Sequence, residues 1–331
     1  MKLLKRVIVI FFIYLLIRNF HLFFIYKDAL FSIGAKRELS GKIVYDSSGE
    51  VRGTIVIIEF PSGKKRIIPR EITIGWKPSF SPDGKKIIFQ GSYDILYMIN
   101  ADGTGLEEFL NPQDFYPSGY IPPPFTVLAR LHAPSWSPDG EKIAFIREGD
   151  LYVTEINNPY AFKKILTDIR LANLQPAWSP DSRKIAVVTE RWAPTTAKVW
   201  GEDYPAWFFA GHILIVNTDG TGVKELIPGS SPAWSPDGKK IAYRAYGSFW
   251  IIDADDENGL TKKFIFSTET PIIKSGVSVP PCWSPDGKYL IVGKKLWFYT
   301  DGIYAIPIDN PKRKIWIDAD GEDIGGMSWV K

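Results

Sequence analysis

Acid–base chemistry in this 331-residue chain has few side chains to run through. There are three histidines, His21, His132 and His212. Histidine titrates near neutral pH, so it is the first candidate for a general acid or base. His132 ends a Pro- and aromatic-rich stretch, "NPQDFYPSGYIPPPFTVLARLHA" (111–133), and His212 follows a second, "RWAPTTAKVWGEDYPAWFFA" (191–210). Glu202 and Asp203 in the second stretch are the carboxylates that could partner either ring. Such a set would suit a hydrolase- or lyase-type reaction. No G-x-S-x-G elbow occurs, so a hydrolase nucleophile of that kind is absent. No Cys/His cluster has zinc spacing. The acidic runs "DADDENG" from Asp253 and "DADGED" from Asp318 do not fit a calcium loop. The expectation is no metal and no cofactor. With a single cysteine, Cys282, no intramolecular disulfide can form.

The same two stretches hold the best candidates for binding. Tyr116, Tyr120 and Phe125 lie in the first, with His132 at its end. Trp192, Trp200, Glu202, Asp203, Tyr204, Trp207 and Phe208 lie in the second, with His212 just beyond. Exposed Tyr and Trp suit a protein or peptide partner. Trp and Tyr faces also suit a cell-envelope glycan. The same aromatics could instead pack the two stretches onto their scaffold. Long insertions on a rigid scaffold are where function usually sits.

That scaffold is repetitive. "PSFSPDGKKIIFQ" from Pro78 returns as "PSWSPDGEKIAFIRE" from Pro134, "PAWSPDSRKIAVVTE" from Pro176, "PAWSPDGKKIAYRAY" from Pro232 and "PCWSPDGKYLIVGKK" from Pro281. Each reads as strand, tight turn, strand. Pro presets the turn and Gly takes the left-handed position after Asp. Ser182 replaces that Gly in one copy. A non-Gly residue there costs about 1–2 kcal/mol, so Ser182→Gly is expected to stabilise. A second phrase, such as "DILYMINADGTGLEEFL" from Asp94, follows each first phrase and supplies two more strands. Four strands per unit at this period is the pattern of an all-β propeller.

The ends complete a sixth unit. "GKIVYDSSGE" from Gly41 and "GTIVIIEFPSGKKRII" from Gly53 supply three strands, and "MSWVK" at 327–331 supplies the missing first strand. The prediction is a six-bladed β-propeller over 41–331, its first blade closed by 327–331. Phe80, Trp136, Trp178, Trp234, Trp283 and Trp329 occupy one repeat position and should wedge between blades. The 111–133 stretch then links blades 2 and 3. The 191–210 stretch falls between the second and third strands of blade 4. Both emerge on the face opposite the SPDG turns, at one mouth of the channel.

The repeated unit resembles the TolB-like, WD40-like (PD40) propeller repeat, W-S-P-D-G-x-x-I-A-F followed by I-Y-x-M-N-A-D-G-T-G. It is also similar to the propellers of prolyl oligopeptidase-type peptidases, here without their hydrolase domain. The resemblance covers about 41–331. It implies an extracytoplasmic propeller that binds partner proteins, without implying a role in the Tol system.

Residues 1–40 form a separate region. Val7 to Tyr26 is mostly apolar and about the length that spans a bilayer as a helix. Lys2, Lys5 and Arg6 precede it, which favours a signal anchor with the propeller outside the cytoplasm, periplasmic or at the cell surface. Secretion after signal cleavage is the alternative. The formal charge of the whole chain is +3, and the near-neutral propeller argues against nucleic acid as a partner.

Overall fold

The computed structural model describes residues 35–47, 53–68, 75–116, 131–167, 169–172, 174–190, 192–199, 202–209, 211–245, 248–256, 258–267, 280–296, 299–318, 324 and 326–331, with backbone alone for 35, 192–199, 202–209, 267, 294–296 and 299–301. The N-terminal apolar segment, Tyr120, Phe125 and Trp200 lie outside these residues. Among the described residues, no helix is long and apolar enough to cross a membrane.

Six antiparallel sheets of four strands form the blades of a propeller, as the repeats predict. The first strands are Met327–Val330, Trp76–Phe80, Leu131–Trp136, Ala177–Trp178, Ser230–Trp234 and Cys282–Trp283 for blades 1 to 6. Met327–Val330 joins blade 1 from the far end of the chain, with Lys42 opposite Val330 and Tyr45 opposite Met327. This pairing closes the ring and covers the inner edge of the Gly41–Ser47 strand.

Each blade is covered on both sides, so its middle strands are apolar on alternate faces at once. In Lys142–Arg147, Ile143 and Phe145 pack toward blade 2 beside Ile88 and Met98. Ala144 and Ile146 pack toward blade 4 beside Ile185 and Val187. A sheet buried on both faces reads as a continuous apolar run for this reason.

Six apolar clusters fill the six seams, and each holds one of the repeated aromatics. Phe80 lies between blades 1 and 2, Trp136 between 2 and 3, and Trp178 between 3 and 4. Trp234, Trp283 and Trp329 fill the remaining seams, Trp234 being only partly buried. Trp178 Nε1 donates to Ser135 O of blade 3 at 3.1 Å, and Trp283 Nε1 to Ala233 O of blade 5 at 3.0 Å. The wedge thus adds a directional bond to its buried area.

The SPDG turns repeat one network. Ser81 Oγ donates to Asp83 Oδ1 at 2.6 Å, Asp83 Oδ1 accepts from Lys85 N, and Ser81 Oγ accepts from Lys86 N. The same bonds recur around Asp139, Asp181, Asp237 and Asp286. Gly84, Gly140, Gly238 and Gly287 take positive φ at the fourth position, and Ser182 takes it at +57°. The Ser182 hydroxyl also accepts from Asp139 N of blade 3 at 3.0 Å. The substitution Ser182→Gly would therefore remove an inter-blade bond, which corrects the stabilisation expected from backbone strain alone.

The outer turns lie on the SPDG face. Ala101 N, Thr218 N and Ala254 N at their bases donate to Lys85, Arg183 and Lys239 of the SPDG turns. Asp102 and Asp219 accept from Thr104 and Thr221 within these turns. Asp256 in "DADDENG" accepts likewise from Asn258 and Thr261. These carboxylates are used by their own loops, and no group of metal-ligating side chains assembles among the described residues.

Candidate functional site: the channel mouth

On the opposite face, the position three residues before each wedge aromatic forms a collar about the axis. It carries Gly326, Lys77, Ala133, Gln175, Ser231 and Pro280 in blades 1 to 6. Lys77, Ala133 and Ser231 have φ of +53°, +55° and +52°, and each precedes a proline. The pairing register slips at each of them, between Trp76 and Ser79, His132 and Ser135, and Ser230 and Ala233. These are bulges, and bulges re-aim the side chains beside them.

Collar members from four blades meet directly. Gln175 Nε2 donates to Pro134 O at 2.7 Å and to Lys77 O at 3.3 Å. A Cβ on Gly326 would lie 2.4 Å from Lys77 Cα and 3.1 Å from Gln175 Oε1, so the close approach requires glycine there. Gln175 therefore spans the entry strands of blades 2, 3 and 4.

Lys77 brings a cation to this collar. Burial pushes its ammonium down to about 8, against the pull of the Asp46 and Asp94 carboxylates. Asp46 is itself buried, and its Oδ1 accepts from Gly326 N at 2.7 Å. Asp94 Oδ1 accepts from Gln90 Nε2 at 3.0 Å, and the same Gln90 nitrogen lies 3.0 Å from His132 Nδ1. Lys77, Asp46, Asp94, Gln90 and His132 thus form one polar group around the mouth.

The turn that carries Asp94 is strained and displays an aromatic. Tyr93 and Asp94 both have positive φ, +60° and +59°. Tyr93 is 89% exposed, the most exposed large apolar or aromatic side chain among the described residues. Two successive non-Gly residues in the left-handed region carry backbone strain of about 1–2 kcal/mol each.

The two stretches singled out by the sequence differ in form. In place of an open loop, 192–209 is a two-stranded ribbon, Trp192–Val199 paired with Glu202–Phe209. It leaves blade 4 between its second and third strands, on the Lys77 face. Trp192, Glu202, Asp203, Tyr204, Trp207 and Phe208 all belong to it. Its register runs from Trp192 opposite Phe209 to Val199 opposite Glu202. The start of the 111–133 stretch packs down. Phe115 stacks on Phe162 at 4.0 Å between centroids and meets Phe145 and Tyr152 edge-on. Arg147 lies over Phe115 at 4.4 Å and 5.9 Å from the half-buried Tyr116 ring. Phe115 and Tyr116 at the start of this stretch thus pack on blade 3.

The two histidines are not brought together. His132 sits on the first strand of blade 3 and His212 on the third strand of blade 4. His212 Nδ1 pairs with the Glu225 carboxylate on the neighbouring outer strand. The sequence reading missed Lys77, Tyr93 and Gln175. The available signal was the collar position itself, where Lys and Gln replace the small or imino residues of other blades.

No protein-family model matches the chain, and no curated protein matches it by sequence. Solved structures do match by shape. TolB from Acinetobacter baumannii superposes with a TM-score of 0.63 at 16% identity, over 88% of this chain and 66% of that one. This chain thus spans just under two thirds of that TolB. A chain of a nidogen/laminin complex gives 0.62 at 8% identity, over 88% and 99%. A putative TolB from Agrobacterium tumefaciens gives 0.54 at 14% identity, over 88% and 99%. At such identities the likeness is one of fold, and the fold is the six-bladed propeller of TolB-type proteins.

Proposed function

We propose that this protein is a binding module that holds a protein or peptide partner at the channel mouth. Residues 7–26 tether it to a membrane, with the propeller outside the cytoplasm. The observation that carries this reading is the Lys77 collar. A cation is kept there in a strained, half-buried position, on the face that also carries Tyr93, the inserted ribbon and the 111–133 link. Strained residues cluster where a ligand is met. An exposed Tyr on the same face as a half-buried cation suits a peptide that offers a carboxylate or backbone carbonyls. The TolB-type neighbours agree with a protein-binding role.

The test is capture from native membranes with wild type, Tyr93→Ala and Trp200→Ala/Trp207→Ala. The variants are expected to lose a partner that wild type retains. Identical recovery by all three would sink the reading.

A further inference from the structure

One sector of the SPDG face carries a local excess of basic residues. On the SPDG face, the chain enters through the 3-10 helix Ala35–Glu38, lodged between blades 6 and 1. Glu38 fixes it there, accepting from Tyr289 Oη at 2.8 Å and pairing with Arg313. Tyr289 directly follows the SPDG turn of blade 6, so the entry point and that turn share a face.

Three basic segments surround this entry. The outer strand of blade 1, Lys64–Ile68, opens with Lys64, Lys65 and Arg66, the last donating to Ala101 O of blade 2 at 3.0 Å, and the outer turn of blade 6 carries Lys312, Arg313 and Lys314. Lys36 and Arg37 lie between them. Lys36 donates to Ile317 O at 2.9 Å and lies over the Trp316 ring, and Lys65 pairs with Asp318 at 2.8 Å. Arg37, Lys64, Lys312 and Lys314 are exposed. Glu38, Glu59, Asp309 and Asp318 are the acids in or beside these segments, against eight basic residues. The propeller as a whole is near neutral, so this excess is local.

Chain length fixes how far this sector can stand from the N-terminal apolar segment. Eight residues, 27–34, separate Tyr26 from Ala35. Fully extended they reach about 28 Å, at roughly 3.5 Å per residue. A propeller tethered through residues 7–26 therefore has its basic sector within about 28 Å of the anchor's end, short enough to reach the bilayer surface. The mouth with Lys77 and Tyr93 then points away. Basic segments beside a membrane anchor are drawn to anionic headgroups over about one Debye length.

We propose that the sector of the SPDG face formed by residues 62–66, 312–314 and 36–37 docks on anionic phospholipid headgroups and turns the channel mouth outward. This rests on the tethered reading above. The test uses full-length protein in nanodiscs of phosphatidylcholine alone and of phosphatidylcholine with phosphatidylglycerol. An environment-sensitive dye is placed at Asn310→Cys, beside the patch, or at Tyr93→Cys on the other face. Both are made in a Cys282→Ser background, so that the half-buried native thiol takes no dye.

The Asn310 dye should shift to the blue in phosphatidylglycerol discs only, and lose the shift in 0.5 M salt or on Lys64→Glu/Lys312→Glu/Lys314→Glu. The Tyr93 dye should not respond. Equal emission from the Asn310 dye in both discs overturns the proposal. Retention in the discs after alkaline carbonate reports the tether separately. If carbonate releases the chain, the tether fails, and flotation of the released protein on phosphatidylglycerol vesicles then decides the patch. Flotation weakened at least about tenfold by the triple charge reversal supports it, and absence of flotation overturns it.

Discussion

The Ser182 hydroxyl accepts a hydrogen bond from the Asp139 backbone amide at 3.0 Å, across the seam between blades 3 and 4. Ser182 holds φ of +57°, where glycine is favoured. Glycine would relieve about 1–2 kcal/mol of strain but leave the Asp139 amide without its acceptor, at about 1–3 kcal/mol. Ser182→Gly is expected to gain nothing in thermal unfolding, and Ser182→Ala to fall about 1 kcal/mol further. A clear rise in Tm for Ser182→Gly would show that the inter-blade bond contributes little.

Two wedge tryptophans should respond differently to phenylalanine. Trp178 donates to Ser135 O, whereas Trp136 Nε1 is buried with no hydrogen-bond partner. Trp178→Phe should cost about 1–3 kcal/mol and Trp136→Phe distinctly less. Alanine at either position should cost about 3–5 kcal/mol. Urea unfolding measures all four, and equal losses for the two phenylalanine variants would reject the distinction.

The turn aspartates set an acid limit. Serine hydroxyls hold Asp83, Asp181 and Asp237 below the usual carboxylate range, helped by the backbone amide two residues on. For Asp139 and Asp286 burial pulls upward, and the serine, the amide and a nearby lysine outweigh it. A carboxyl depressed in the folded state stabilises fully above its unfolded pKa, about 3.9, and that stability is lost as pH falls below it. Tm should therefore be level near neutrality and drop below about pH 4. Asp83→Asn/Asp181→Asn/Asp237→Asn should lower Tm at pH 7 and flatten the acid limb. An unchanged limb would mean that the loss arises elsewhere.

Lys77 acts in the opposite pH window. Its ammonium is pushed down to about 8, so the folded state binds its proton less well than the unfolded chain does. The penalty is full below about pH 8 and fades as pH rises toward 10.5. Lys77→Met should stabilise by about 1–3 kcal/mol at pH 7, and by less at pH 10. Urea titrations at the two pH values would expose an error, since a loss at pH 7 contradicts the burial argument.

Tyr93→Gly separates stability from binding. Glycine accepts φ of +60° freely, so the variant should be more stable by about 1 kcal/mol. It should also capture less partner, because the exposed ring is gone. Full capture by a stabilised variant would remove Tyr93 from the interface.

The fold was open to reading because a propeller repeats its local chemistry. The S-P-D-G turn, the wedge aromatic and the doubly apolar second strand each act within one blade or across one seam, so each recurs as a phrase. The split blade was readable for the same reason, since "MSWV" lacks a second strand and "GKIVY" lacks a first. The ribbon was located correctly but taken for a loop. Its Pro and Gly content hid the pairing of Trp192 with Phe209 through Val199 with Glu202.

The sequence by itself determined the six blades, their closure and the six seams, because strand pairing and turn chemistry are short-range. The tertiary structure alone decided what surrounds the axis. Gln175 meets Lys77 across 98 positions of the chain, and Asp46 meets Gly326 across 280. Such contacts leave no periodic trace, since each collar position holds a different residue. It likewise separated His132 from His212 and set the chain's entry on the SPDG face, opposite the mouth. Ring closure fixes these distances, and no local rule carries them.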